Sequence, residues 1–316
     1  MFWTSWFLAI LAVILAWPVP LVLARARWTA RSPFSAMVLW QAIALAGGLS
    51  MIGAMLVFGL VPLGGNLISG LKNLLGIMLG RTSGAQLEFW HAFALSAAAL
   101  LFAHLVFTLL LTYARIHKQR RRHRELLELL SSPATGRPGT VVISHDVPVA
   151  YCLPGGSRSI TVLSDGLMNL LEPDELRAVL IHENAHLSQR HHLLLWAFAG
   201  WRSALPWLPT SRLAQRSVNA LIEMLADDVA LHSVDRATLV KAIALVASGP
   251  ARLAPIELVD GGGDRIDTPE TTSARLGRLL NPAPALPRPV QTLVLVGSVL
   301  LLAVPTALLT VPGLLG

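Results

Sequence analysis

Residues 175–186 read Glu175-Leu176-Arg177-Ala178-Val179-Leu180-Ile181-His182-Glu183-Asn184-Ala185-His186. The apolar positions recur at helical spacing. Just upstream, Pro173, Asp174 and Glu175 suit a helical first turn, where proline has no N–H to lose and carboxylates meet the positive end of the dipole. On such a helix His182 and His186 share one face and can hold a single zinc ion between them. Glu183 then lies beside the open coordination position, where it can take a proton from a water acidified by the metal. With 10 histidines in 316 residues, HExxH is expected by chance about 0.01 times. The motif is therefore specific by itself, and it predicts one Zn2+ with Glu183 as the catalytic base.

Two histidines leave a catalytic zinc one protein ligand short. Glu223-Met224-Leu225-Ala226-Asp227, in the next long helical pattern, places two carboxylates one turn apart on one face. Glu223 is the expected third ligand. Asp227 is expected to accept the second ring N–H of a ligating histidine and so fix its tautomer. His191 and His192 follow too late to complete a set already full, and are read as partners of the ligands or as interfacial residues. His232 and Arg275 are the candidates for stabilising the transition state, with a helix-end cation as the plainer reading of His232. Cys152, the single cysteine, reads as a small apolar residue rather than a nucleophile.

Outward from this site the composition changes. Met1–Ala24, Ser32–Leu71 and Pro289–Gly316 carry no charged side chain, and Phe89–Ala114 has only His91 and His104 as titratable groups. Each exceeds the roughly 18–20 apolar residues needed to cross a bilayer as a helix. Over the whole chain 54% of residues are hydrophobic and 14% charged, which excludes a disordered chain and a soluble enzyme with an ordinary surface. Four transmembrane helices are predicted, at about 3–24, 36–60, 90–114 and 289–316. The Ser32–Leu71 stretch is too long for one crossing, and Pro62, Gly64 and Gly65 offer the break. Beyond it, Leu67, Ile68, Leu71, Leu74, Leu75 and Met78 suggest a short helix lying in the interface of an outer loop, 64–88. The first helix lacks the basic start of a signal peptide and is read as retained.

Lysine and arginine set the orientation. Arg25, Arg27 and Arg31 follow the first helix, and Arg115, Lys118, Arg120, Arg121, Arg122 and Arg124 follow the third, whereas only Lys72 and Arg81 lie on the other side. Both termini and the 64–88 loop are thus expected outside the plasma membrane, with residues 115–288 cytoplasmic. The formal charge of +7 concentrates in the Arg115–Arg124 stripe, which suits anionic lipid headgroups. No helix-turn-helix or finger pattern accompanies it, so direct nucleic-acid binding is not expected. Within 115–288, Ser131–Gly139 reads as a linker, and Thr140–Ser144, Val147–Leu153 and Ser159–Leu163 read as strands, with a turn at Pro154-Gly155-Gly156. Helical patterns then run from Pro173 to about Gly200 and from Ser211 to about Val234, before a glycine-rich loop from Asp260 to Glu270. Trp196, Trp201 and Trp207 suit an interfacial position near the bilayer. The fold class is an α-helical integral membrane protein with a cytoplasmic α+β domain.

The chain resembles the BlaR/MecR-type membrane metallopeptidases, especially their short actinobacterial relatives. The resemblance is carried by Ala150-Tyr151-Cys152-Leu153-Pro154-Gly155, by Glu175–Leu180 leading into His182–His186, by Arg190-His191-His192 and by Glu223–Asp227. It implies a gluzincin-like protease domain between the third and fourth membrane helices and agrees with Glu223 as third zinc ligand. It further implies that substrate adds as a strand to an edge strand near Ser159, Ile160, Thr161, Val162 and Leu163. Members of that family cleave a cytoplasmic transcriptional repressor of the BlaI type, so the resemblance implies an antirepressor endopeptidase answering a cell-envelope signal. No penicillin-binding domain follows the last helix, so direct acylation by a β-lactam is not expected. A homodimer is left open. Two other functions compete: a quality-control or prenyl-processing protease of the HtpX or CAAX-processing kind, and a non-enzymatic metal-binding receptor. An intact Glu183 speaks against the receptor.

Overall fold

The structure is a computed structural model and describes residues 1–134, 139–154, 159–248 and 269–314. The expected turn at Gly155-Gly156 and residues 260–268 of the expected glycine loop lie outside the described residues. The chain divides into two compact units. Residues 1–109, 201–214 and 286–316 form one; residues 110–200 and 215–285 form the other.

The first unit is helical: α1 (Phe2–Ala16), α2 (Pro18–Ala24), α3 (Pro33–Leu60), α4 (Leu67–Met78), the start of α5 (Phe89–Leu130) and α12 (Arg288–Leu314). Four stretches are long and apolar enough to cross a membrane: Phe2–Ala24, Pro33–Leu63, Phe89–Leu130 and Arg288–Thr310. α1 and α12 both pack along α3, whose buried positions include Ala36, Ala42, Ala46, Gly48, Ser50 and Gly53. Small residues let helix backbones approach where lipid supplies no hydrophobic drive. At Gly53 a methyl group would lie 3.2 Å from Leu309 and 3.3 Å from Leu8. The amphipathic α4 forms as its spacing predicts. Asn66 and Ser69 make a reciprocal capping box at its start, and Leu71, Leu75 and Met78 stay exposed along it. Ser69-Gly70-Leu71-Lys72 has the S-x-x-K spacing of penicillin-binding nucleophiles. The Ser69 hydroxyl is engaged in that cap, donating to the Asn66 carbonyl at 3.0 Å.

The first unit also contains residues 201–214, which departs from a contiguous domain over 115–288. Ala204, Leu205 and Leu208 bury themselves against Ala16, Met51, Leu101 and Leu105. His104 Nε2 donates to the Ala204 carbonyl at 3.0 Å, and the Thr210 hydroxyl bonds the carbonyls of Leu15 and Ala16. The reason is local. Pro20 stands four residues after Ala16 and has no N–H to offer its carbonyl, so a side-chain donor satisfies it instead. Trp201 packs at Gly48 while Trp207 is exposed, so the expected aromatic trio does not share one environment.

The second unit is α+β. α5 does not stop at Ala114 but continues through the basic stripe to Leu130, and β1 (Ser131–Pro133) begins within the expected linker. With β2 (Thr140–Ile143), β3 (Ala150–Leu153) and β4 (Ile160–Ser164), it forms a sheet of order β1-β2-β4-β3. β2 and β4 are parallel; the outer pairs are antiparallel. Ile160–Leu163 is therefore not an edge, which corrects the expectation for that strand. The physical reason is that β2 and β3 take up its backbone hydrogen bonds on both sides, and its buried faces suit that inner place. Val162 packs with Leu127 of α5 and Leu153. Leu163 packs with Leu167, Leu171 and Leu176. The edge beyond it is β3.

After the sheet come α6 (Asp165–Leu170), α7 (Pro173–Ser188), α8 (His191–Ala204), α9 (Pro209–Ala230), α10 (Arg236–Ser248) and α11 (Pro269–Leu280). The single helix expected from Pro173 to Gly200 is broken at Gln189-Arg190, where Arg190 adopts a φ of 52°. Ala178 of α7, Ala230 of α9, Leu239 and Ile243 of α10 and Leu279 of α11 form one buried cluster. That layer fixes α7, α9 and α11 against one another, and the site lies on those three helices.

Candidate metal centre

α7 starts at Pro173, as the sequence predicts, and the Glu172 amide donates to the Glu175 carboxylate at 2.9 Å. Four turns of helix then bring His182 and His186 to one face. Their Nε2 atoms lie 3.2 Å apart. From α9, Glu223 Oε2 comes within 3.2 Å of His182 Nε2 and its Oε1 within 3.5 Å of His186 Nε2. The three ligand atoms all lie within 4.8 Å of one another.

These residues fit a zinc ion. Two imidazole lone pairs and a carboxylate converging this closely repel one another unless a proton or cation lies among them. Ligands bound tetrahedrally at 2.0–2.1 Å would stand about 3.3–3.4 Å apart, and two histidines with one glutamate make a recurrent catalytic zinc set. No other group of three metal-ligating side chains occurs among the described residues.

Asp227, one turn after Glu223, comes behind His182, with its Oδ1 3.0 Å from His182 Nδ1. Arg275, from α11, is placed differently from the expectation. Its Nε and Nη2 donate to the two Asp227 oxygens at 2.9 and 2.7 Å, and its Nη1 lies 3.0 Å from Glu223 Oε2. The guanidinium is buried and faces carboxylates, so it braces the ligands rather than awaiting an oxyanion. Arg278, one turn on, pairs with Asp228 and reaches the Met224 carbonyl at 3.3 Å, tying α11 to α9 a second time. His232 does not join the site. It is exposed in the turn after α9, and its Nδ1 donates to the Asp228 carbonyl at 2.7 Å.

The electrostatics follow from this packing. Burial disfavours a charged His182, but hydrogen bonds to Asp227 and Glu223 outweigh it and raise the imidazole to about 9. At His186 burial prevails over the attraction of Glu223 and lowers the ring to about 4. Burial alone would raise Glu223, yet the His182 hydrogen bond and the Arg275 charge hold it well below the usual carboxylate range. Asp227 is lowered for the same opposing reasons. The site thus keeps both carboxylates ionised.

Glu183 is half-buried beside His182, and its charge is felt at Cys152 on β3. Burial pushes that thiol up to about 11, with the Thr161 hydroxyl bond opposing. Cys152 is therefore a protonated packing residue, and its strand runs beside α7. In the first unit His91 donates from Nδ1 to the Phe58 carbonyl at 3.0 Å and stacks on that ring. Together with the His104 bond, this gives both histidines of α5 a packing role within the first unit.

Comparison with known proteins adds to this geometry. Residues 116–231 match the profile of Peptidase family M48. That segment contains the HExxH residues and the Glu223–Asp227 pair; Arg275 lies beyond it. The chain is also similar to a protease HtpX homolog of Persephonella marina (strain DSM 14350 / EX-H1), at 26% identity over 130 residues, 40% of this chain and 45% of the relative. It therefore aligns with less than half of that relative's length. No solved structure matches. The matches and the four apolar helices support a membrane-associated metallopeptidase of the M48 kind. They do not single out the BlaR/MecR type.

Proposed function

We propose that the protein is a multi-pass membrane zinc endopeptidase with its active site on the cytoplasmic side. The observation that carries this reading is the convergence of His182, His186 and Glu223, braced by Asp227 and Arg275, next to Glu183 on the same helix. His182, His186 and Glu223 would hold the ion. When bound, zinc lowers the pKa of a water and polarises a carbonyl. Glu183 would take a proton from the attacking water and pass it to the departing amine, as general base and then general acid. Asp227 keeps His182 oriented throughout. The substrate peptide adds to the outer edge of β3, the strand whose Cys152 feels the Glu183 charge, and not to β4. The basic residues of α5 and those after α2 support the cytoplasmic orientation.

For the substrate, the BlaR/MecR resemblance favours a cytoplasmic repressor of the BlaI type, cleaved in response to an envelope signal. A second reading, membrane quality control, is favoured by the similarity to the HtpX homolog. New protein N-termini compared between cells expressing wild type and Glu183→Gln, with and without cell-wall stress, separate them. Cleavage within one repressor, seen with wild type alone, is the expected result. Scattered cleavages in membrane proteins would support the second reading. Identical N-termini in both strains would overturn the proteolytic role.

A further inference from the structure

Among the described residues, His182 has a carboxylate behind it and His186 does not. The atom facing His186 Nδ1 is Nδ1 of His191, 3.0 Å away. His191 is 1% exposed, and its other nitrogen, Nε2, lies 2.8 Å from the Gln189 side-chain oxygen. An amide oxygen only accepts, so His191 carries its proton on Nε2 and leaves Nδ1 with a lone pair. The His186 Nδ1 must then be the donor. Its remaining nitrogen, Nε2, is left with a lone pair directed at Glu223 and His182 Nε2. With the Gln189 amide oxygen facing the ring, each proton in this chain follows from the next atom outward.

The backbone is bent to make it possible. Arg190, between Gln189 and His191, is the only non-glycine residue at positive φ among the described residues. It ends α7 and turns the chain so that α8 opens with His191 lying back over His186. A side chain with a Cβ in this region costs free energy, and such strain persists where surrounding contacts over-determine it.

We propose that His191, held by Gln189, is a positioning residue for His186: it accepts the His186 Nδ1–H and so keeps the Nε2 lone pair on the metal side. This rests on the zinc reading above. A neutral imidazole here, opposite the carboxylate behind His182, gives the two ligands different partners. The Asp227–His182 contact makes one nitrogen donor electron-rich, while His191 orients the other without adding a third negative charge to a pocket already holding Glu223 and Asp227.

The test uses the full-length protein in detergent, with Zn2+ affinity read by competition with a chelator and the visible spectrum of the Co2+ form as second readout. His191→Phe keeps a ring but removes the acceptor; His191→Asn keeps an acceptor in a smaller side chain. Loss of such a partner typically costs 10–100-fold in metal affinity. The expected result is a loss of that size with an altered Co2+ spectrum for His191→Phe, and affinity within about threefold of wild type for His191→Asn. Should His191→Phe not melt cooperatively, His191→Ala takes its place. Wild-type affinity in the variant lacking the acceptor, or an equal loss in His191→Asn, would overturn the proposal and leave the zinc reading intact. A wild-type protein that takes up no Zn2+ would overturn both.

Discussion

Glu223 and Asp227 bring two carboxylates, each at most 5% exposed, to within reach of a single guanidinium. Removing one partner from a buried charge cluster leaves the other charge uncompensated, at a cost of about 3–5 kcal/mol. Arg275→Met is therefore expected to destabilise the metal-free protein by roughly that amount in denaturant titration, and saturating Zn2+ should recover part of it. An unchanged midpoint would show that Arg275 does not brace the site. HExxH and E-x-x-x-D were legible because helical spacing alone brings their members together. The pairing of Arg275 with Asp227, 48 residues apart, has no local signature. His191 was legible as a partner of the ligands, but its direction depends on the turn at Arg190.

A second residue-level expectation concerns pH. Glu175 is buried, and its hydrogen bonds to Lys241 and to the Glu172 amide hold its carboxyl below the ordinary range. A folded-state pKa below the unfolded value means that the unfolded chain binds the proton first. The stabilisation is present above the unfolded value, about 4.3, and is lost as pH falls through the lower folded value. Glu175→Gln should remove that part of the acid limb when melting is followed against pH. An identical pH profile would contradict the assignment.

At the scale of elements, hydrogen bonding decided what hydropathy alone could not. Ser159–Leu163 looks like any short apolar strand. Only its pairing with β2 on one side and β3 on the other makes it internal and leaves β3 at the edge. For Trp196, Trp201 and Trp207 the sequence suggests only an interfacial position near the bilayer. What was hidden is that the prolines after α1 leave a carbonyl for Thr210 to satisfy. Thr210→Val keeps the shape and removes the donor, so it should cost about 1 kcal/mol, more if the carbonyl stays dry. Thermal melts of the two proteins in the same detergent check this, and equal melting temperatures would show that the bond carries no weight.

For the whole molecule, the four apolar stretches were evident from composition, but the first is broken at Trp17 into α1 and α2, and α5 runs on to Leu130. The division into units was less evident, since it cuts across the sequence at Trp201 and Ala214. All three ligands lie in the second unit. Metal that binds only the folded state stabilises by about 4 kcal/mol at a thousandfold excess over its dissociation constant. A chelator should therefore lower the melting of the second unit, followed by protease susceptibility between Leu110 and Gly200, while helicity of the apolar stretches is retained. Equal susceptibility with and without chelator would mean that no metal contributes to that unit.

The central claim is that His182, His186 and Glu223 hold zinc and that Glu183 performs the chemistry. It is tested most directly by measuring zinc content and hydrolysis of an unfolded protein substrate with purified wild type, Glu183→Gln and Glu223→Ala. The account predicts one zinc and hydrolysis for wild type, one zinc and a loss of at least about a hundredfold in rate for Glu183→Gln, and neither zinc nor hydrolysis for Glu223→Ala. Hydrolysis surviving in Glu183→Gln, or zinc retained at wild-type affinity in Glu223→Ala, would contradict it.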